Sequence, residues 1–70
     1  MDIGKRLRAL RKLEGQMLRE VAQATETSVS HLSDVERGAS YPSWTFLCRL
    51  LTHYGQQVVI IPGTEEEMRD

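Results

Sequence analysis

Apolar residues recur along most of this chain at helical spacing, and only near its end does the period change. Ile3, Leu7, Leu10 and Leu13 fall three or four apart, with Lys5, Arg6, Arg8 and Lys12 mostly on the other faces. The pattern predicts a helix over residues 2–14 that stops at Gly15. Val21 and Ala22, led by Leu18, predict a short second helix over 18–25. Ser28 suits the N-cap of a third helix, because its hydroxyl can accept a free backbone N–H of the first turn. Leu32 and Val35 give that helix a narrow apolar stripe, and Gly38 ends it. Ala39 to Pro42 reads as a loop, since a residue before proline is pushed out of the helical region.

Ser43 is placed to cap a fourth helix, whose apolar face is drawn from Trp44, Leu47, Leu50, Leu51 and Tyr54. Phe46 and Cys48 are expected to flank that face, and Gly55 to stop the helix. Val58, Val59, Ile60 and Ile61 then form a β-branched run closed by Pro62 and Gly63, the signature of a short strand. Residues 64–70 are charged and uncapped and are expected to fray. The chain thus divides into a helical domain over 1–55, a strand segment over 56–63 and an acidic tail over 64–70. The fold class expected is all-α, with four to five helices and a C-terminal β-strand.

Composition narrows the class. Seventy residues make one domain with little core to spare. The single cysteine, Cys48, excludes an internal disulfide framework and fits a reducing compartment. No apolar run approaches the roughly 18 residues of a membrane span. The N-terminal residues lack the apolar stretch of a signal peptide, so a cytoplasmic protein without a membrane partner is expected. The formal net charge is -1, but it is unevenly spread. Residues 1–63 carry eight Lys or Arg against six Asp or Glu, whereas the last seven residues carry one Arg and four acids. The helical part is mildly basic, with five of its cations between Lys5 and Lys12. That balance permits a nucleic-acid partner without requiring one.

A short helix, a tight turn, a second helix and a closing glycine over Leu18 to Gly38 are compatible with a helix-turn-helix, although helical pairs alone are common. The residue identities say more. Ile3-Gly-Lys-Arg-Leu-Arg-Ala-Leu-Arg, Leu18-Arg-Glu-Val-Ala, Ser28-Val-Ser-His-Leu-Ser-Asp-Val-Glu-Arg-Gly and Pro42-Ser together resemble the lambda-repressor/Cro-like (XRE) family of helix-turn-helix regulators. The resemblance covers about residues 3–55, and its most specific piece is the run from Ser28 to Gly38. It implies a sequence-specific transcriptional regulator, a repressor by expectation, reading double-stranded DNA through the third helix.

Burying Leu32 and Val35 leaves Ser28, Val29, Ser30, His31, Ser33 and Asp34 available to a DNA groove. Their side chains are mostly short, which permits close approach to base edges. The resemblance places Val29, Ser30, Ser33 and Asp34 among the family's base readers. Val29 can meet only a thymine methyl, the serines bases or phosphates, and Asp34 a cytosine amino group. For Ser33 and Asp34 a solvated helix face or a cap contact is an equal alternative. The resemblance also places Arg19, Arg37, Tyr41 and Ser43 at phosphate-contacting positions. Backbone N–H groups at the starts of the second and fourth helices would add to their grip. Singly, each arginine reads more readily as an ordinary solvated charge; as a set, the DNA-facing reading wins. Arg11 and Glu36 match positions that form an internal ion pair in the resembling fold, a structural role.

Three residues depart from the family pattern. Met17 stands where Ser or Thr commonly caps the second helix, although Glu20 retains the other half of a capping box. Leu18 replaces a Gln that grips phosphate in many relatives. Glu26 occupies the turn position usually held by Gly, at an expected strain of about 1–2 kcal/mol.

The run Val58, Val59, Ile60 and Ile61 has no other strand in the chain to pair with. Pairing with the same segment of a second copy would satisfy it and give a two-fold homodimer. Packing as an extended tail over the first or fourth helix is the alternative. Some short antitoxin repressors of the family end similarly, so a protein partner of toxin type is a second expectation, with DNA binding as autoregulation. The acidic tail Glu65 to Asp70 suits folding against such a partner or simple solubilisation. His31, His53 and Cys48 lack metal-ligand spacing, and no nucleophile–base arrangement or phosphate loop is present. Neither an enzyme nor a cofactor is expected.

Overall fold

A computed structural model describes residues 2–56, and within them the chain forms four α-helices and no strand. These are α1 (Ile3–Leu13), α2 (Leu18–Ala24), α3 (Val29–Glu36) and α4 (Trp44–His53). Val58 to Ile61 and the acidic tail lie outside the described residues. No helix among the described residues is long and apolar enough to cross a membrane.

Side chains that satisfy free backbone donors set the helix starts. The Asp2 carboxylate accepts from the Lys5 N–H, and the Ser28 and Ser43 hydroxyls accept from the N–H groups of His31 and Phe46. At α2 the cap is inverted. Met17 offers no acceptor, and instead its own N–H donates to Glu20 Oε1 at 2.8 Å. Gly38, at φ 79°, closes α3 in the left-handed region. Between α2 and α3, Glu26 takes φ 57°, the only non-glycine in that region among the described residues. Its Cβ crowds the following carbonyl. Glu26→Gly will therefore stabilise the domain by about 0.5–1 kcal/mol after the extra flexibility of the unfolded glycine is deducted. Urea denaturation reads the difference, and a loss of stability would contradict it.

One core joins the four helices: Leu7, Val21, Ala22, Leu32, Val35, Phe46, Leu50 and Tyr54 are buried, and Leu10, Leu18, Leu47 and Leu51 pack at its margin. Three positions depart from the apolar pattern. Leu13 is 81% exposed, because by the last turn α1 has rotated past its neighbours. In α4, Phe46 and Leu50 enter the core while Trp44 is 60% exposed. Residues two apart lie about 200° apart around a helix, so Trp44 and Phe46 cannot both face inward.

Two contacts of the packing carry no apolar signature. Gly4 is buried where α1 crosses the end of α3, and a Cβ there would stand 2.5 Å from the Val35 carbonyl oxygen and 2.7 Å from that of Glu36. Thr25, buried at the end of α2, donates its hydroxyl to the Val21 carbonyl at 2.7 Å. The Thr25 carbonyl in turn accepts from Arg49 Nη1 at 3.1 Å, tying α2 to α4.

Tyr54 closes the core at the end of α4, and its hydroxyl is buried without a hydrogen-bond partner among the described residues. Burial pushes the phenol up to about 12, the Glu36 carboxylate adds to the rise and Arg11 opposes it. In the unfolded chain the group titrates near 10, so the fold holds this proton more tightly. Its contribution to stability is complete below pH 10 and is lost as pH rises towards 12. Tyr54→Phe will remove that step from a melting-temperature profile between pH 9 and 12. At neutral pH it will be neutral or stabilising by up to about 1 kcal/mol, because no bond is lost.

Candidate nucleic-acid interface

Helix α3 is a two-sided element. At about 100° per residue, Val29, Ser33, Arg37, Ser30 and Asp34 share one arc of about 140°, opposite Leu32 and Val35. Leu32 and Val35 are fully buried. Val29, Ser30 and Arg37 are exposed, while Ser33 and Asp34 are half-buried. A surface helix with a core stripe and a free polar arc can be offered to a groove without disturbing the fold.

The six candidate base readers do not share one environment. Ser28 is exposed, but its oxygen is engaged as the cap of α3. His31 falls between the two arcs and turns onto α4, its ring 5.2 Å from that of Phe46. The structure therefore removes His31 from the free arc and gives it a packing contact. Val29, 43% exposed, stands beside Met17, Leu18 and Arg19 in an open cleft between the starts of α2 and α3. Asp34 is joined by its carboxylate to Arg37 Nη2 one turn further along.

The four candidate phosphate contacts surround this arc unevenly. Arg19 rims the cleft beside Val29. Arg37 lines a second cleft with Arg8, Arg11, Leu18, Ser33 and Glu36. Arg8 carries no signal of its own in the sequence, where it is one of several cations on the first helix. Only the packing of α1 against α3 brings it beside Ser33. Tyr41 is 91% exposed and lies away from these clefts, beside Asp2, Ile3 and Gly38. Ser43 is exposed at the start of α4, and its oxygen accepts from Phe46 N–H at 3.2 Å.

Arg11 and Glu36 hold the frame. Arg11 Nε and Nη2 donate to Glu36 Oε2 and Oε1 at 2.8 and 3.0 Å, and Nη1 donates to the Gln16 carbonyl at 3.0 Å. The two side chains are only 12% and 4% exposed. The carboxylate raises the Arg11 guanidinium above its ordinary range, against the opposing effect of burial. The pair joins α1, the loop after it and the end of α3. His53 adds a second tie to that loop, its Nε2 2.7 Å from Gln16 Oε1. No cluster of three or more metal-ligating side chains occurs among the described residues.

The sequence profile of the helix-turn-helix domain family matches residues 2–59, most of the chain. The chain belongs to the helix-turn-helix domain family. Within it, α2, the turn at Glu26 and α3 are the helix-turn-helix, braced by α1 and α4. This helix-turn-helix chain is 44% identical over 55 residues to the HTH-type transcriptional regulator DdrOP3 of Deinococcus deserti, a match covering 79% of this chain and 43% of that protein. It is 38% identical over 69 residues to the transcriptional regulator ClgR of Mycobacterium tuberculosis, covering 96% of this chain and 62% of that one. The chain spans less than two thirds of the length of these curated relatives. Both relatives are named as transcriptional regulators, the first as one of HTH type, in accord with the resemblance carried by the motifs of residues 3–55.

Proposed function

We propose that this protein is a sequence-specific DNA-binding transcriptional regulator, acting as a repressor, that lays α3 in the major groove of a palindromic operator. The observation that carries this reading is the free arc of α3, whose short side chains are flanked by Arg8, Arg19 and Arg37. Short side chains let the helix axis approach base edges, and the flanking cations meet the phosphates on either side. Val29 contacts a thymine methyl, Ser30 and Ser33 donate to base or phosphate oxygens, and Asp34 accepts from a cytosine amino group. Tyr41 and Ser43 extend the phosphate grip. The names of the two relatives support transcription regulation as the setting.

Dimerisation through Val58, Val59, Ile60 and Ile61 completes the proposal. Two recognition helices related by a two-fold axis would meet half-sites about 34 Å apart. The test is selection of bound duplexes from a randomised library, followed by footprinting on the enriched sequence. Two protected half-sites one helical turn apart are expected, with affinity falling steeply as salt rises. Val29→Arg will change the enriched sequence at one position per half-site without unfolding the domain, because Val29 is already exposed. Failure to enrich any sequence would overturn the proposal.

A further inference from the structure

The Asp34–Arg37 pair sits on the DNA-facing arc of α3, and it sets two proposed roles against each other. Asp34 is the one acid on that arc, and Arg37 is its one cation. Elsewhere around the arc, Arg8 and Arg19 have no carboxylate partner among the described residues. The only other ion pair there, Arg11 with Glu36, is internal. Asp34–Arg37 is different: its side chains are 41% and 63% exposed, and it closes within a single helical turn. An exposed pair of this kind is weak and exchanges readily. The pair is thus strong enough to bias Arg37 and weak enough to be given up to a better partner.

We infer that Asp34 is a specificity-determining residue that holds Arg37 back from phosphate on non-cognate DNA and releases it where a cytosine amino group takes the carboxylate. The inference rests on the DNA-binding reading above. On a random duplex, an Arg37 that stays on Asp34 brings an already neutralised charge to any phosphate, and one that leaves it strands Asp34 facing base-edge acceptors and the phosphate field with no donor. That arrangement is repulsive, so the free pair persists and the phosphate contact is forfeited. On a half-site that sets a cytosine N4 amino group under Asp34, the carboxylate has a new donor. Arg37 is then free to neutralise a phosphate. Discrimination therefore comes from a penalty on the wrong sequence as much as from a contact with the right one. The backbone is ready for the exchange: the Asp34 carbonyl accepts from the N–H groups of Ala39 and Ser40, so the turn after α3 stays closed whichever partner the carboxylate takes.

Asp34→Ala tests this on the full chain, with Asp34→Asn as a companion that keeps the side-chain volume. Binding to a random-sequence 20-base-pair duplex is followed by fluorescence anisotropy over a range of salt. The expected result is tighter binding by Asp34→Ala, by about three- to tenfold, with a salt slope steeper by about 0.9, one additional phosphate. Arg37→Ala will weaken random-duplex binding less than about twofold in the wild type and will abolish the gain in the Asp34→Ala background. Library selection will show one constrained cytosine per half-site in the wild type and none at that position in Asp34→Ala. Unchanged random-duplex affinity in Asp34→Ala, or equal losses from Arg37→Ala in both backgrounds, would overturn the inference and leave the DNA-binding reading intact. A wild type that binds neither random nor selected duplex overturns both.

Discussion

Gly4→Ala will destabilise the domain by about 2–3 kcal/mol, because among the glycines of the described residues it is the one whose added methyl meets neighbouring atoms. Intrinsic propensity points the other way. Alanine is favoured over glycine in a helix interior by about 1 kcal/mol, so the substitution would stabilise an exposed helix. At Gly4 the added Cβ meets two backbone carbonyl oxygens at 2.5 and 2.7 Å, and neither is the end of a flexible side chain. Relief requires α1 to move away from the end of α3, which loosens the packing of Leu7 and strains the Arg11–Glu36 bond. Chemical denaturation with an unchanged m-value would report the loss as native-state strain. A variant as stable as the wild type would mean that α1 and α3 separate freely and that their close approach contributes nothing to the core.

Arg11→Ala is the second large effect, at about 3–4 kcal/mol. It leaves the Glu36 carboxylate, 4% exposed, without its two donors and deprives the Gln16 carbonyl of a third. An uncompensated buried charge is costly because nothing in the interior replaces the water it gave up. The paired variant Arg11→Met with Glu36→Leu will recover most of the loss, since apolar residues of similar size need no partners. Arg11→Lys will fall between the two, as an ammonium cannot make the parallel pair of bonds that the guanidinium makes. For a domain of this size, each kcal/mol lowers the melting temperature by about 4–8 °C, so the order of the three variants is easily resolved. A double variant no better than Arg11→Ala would show that the pair contributes specific geometry that packing cannot replace.

Much of the local structure was legible along the chain because the signals are themselves local. Ser28 and Ser43 sit immediately before their helices and do what short hydroxyl side chains do at a helix start. Glu20 lies three residues after Met17 and reaches back to its N–H. Glu26 takes the left-handed backbone that its position in the turn demanded. The stripe of Leu32 and Val35 told which side of α3 would be buried, and by subtraction which side would be free.

Non-local choices were hidden. The helical spacing in α4 put Trp44 on the apolar face with Phe46 flanking it, and the neighbouring helices reverse that expectation: Phe46 goes in and Trp44 stays out. His31 looked like a groove-facing side chain until Phe46 supplied a surface for its ring. Gly4 has no side chain to announce a crossing point, so its importance exists only once α3 lies against α1. Arg8 becomes a neighbour of Ser33 for the same reason. The sequence by itself determined where the helices begin and end and which arc of α3 is apolar, because caps, turns and periodicity act within a few residues. Tertiary structure alone decided which cations stand beside that arc, which aromatic fills the core and how closely α1 meets α3. Those outcomes depend on distances between segments that are far apart in the chain and are brought together only by burying one shared core.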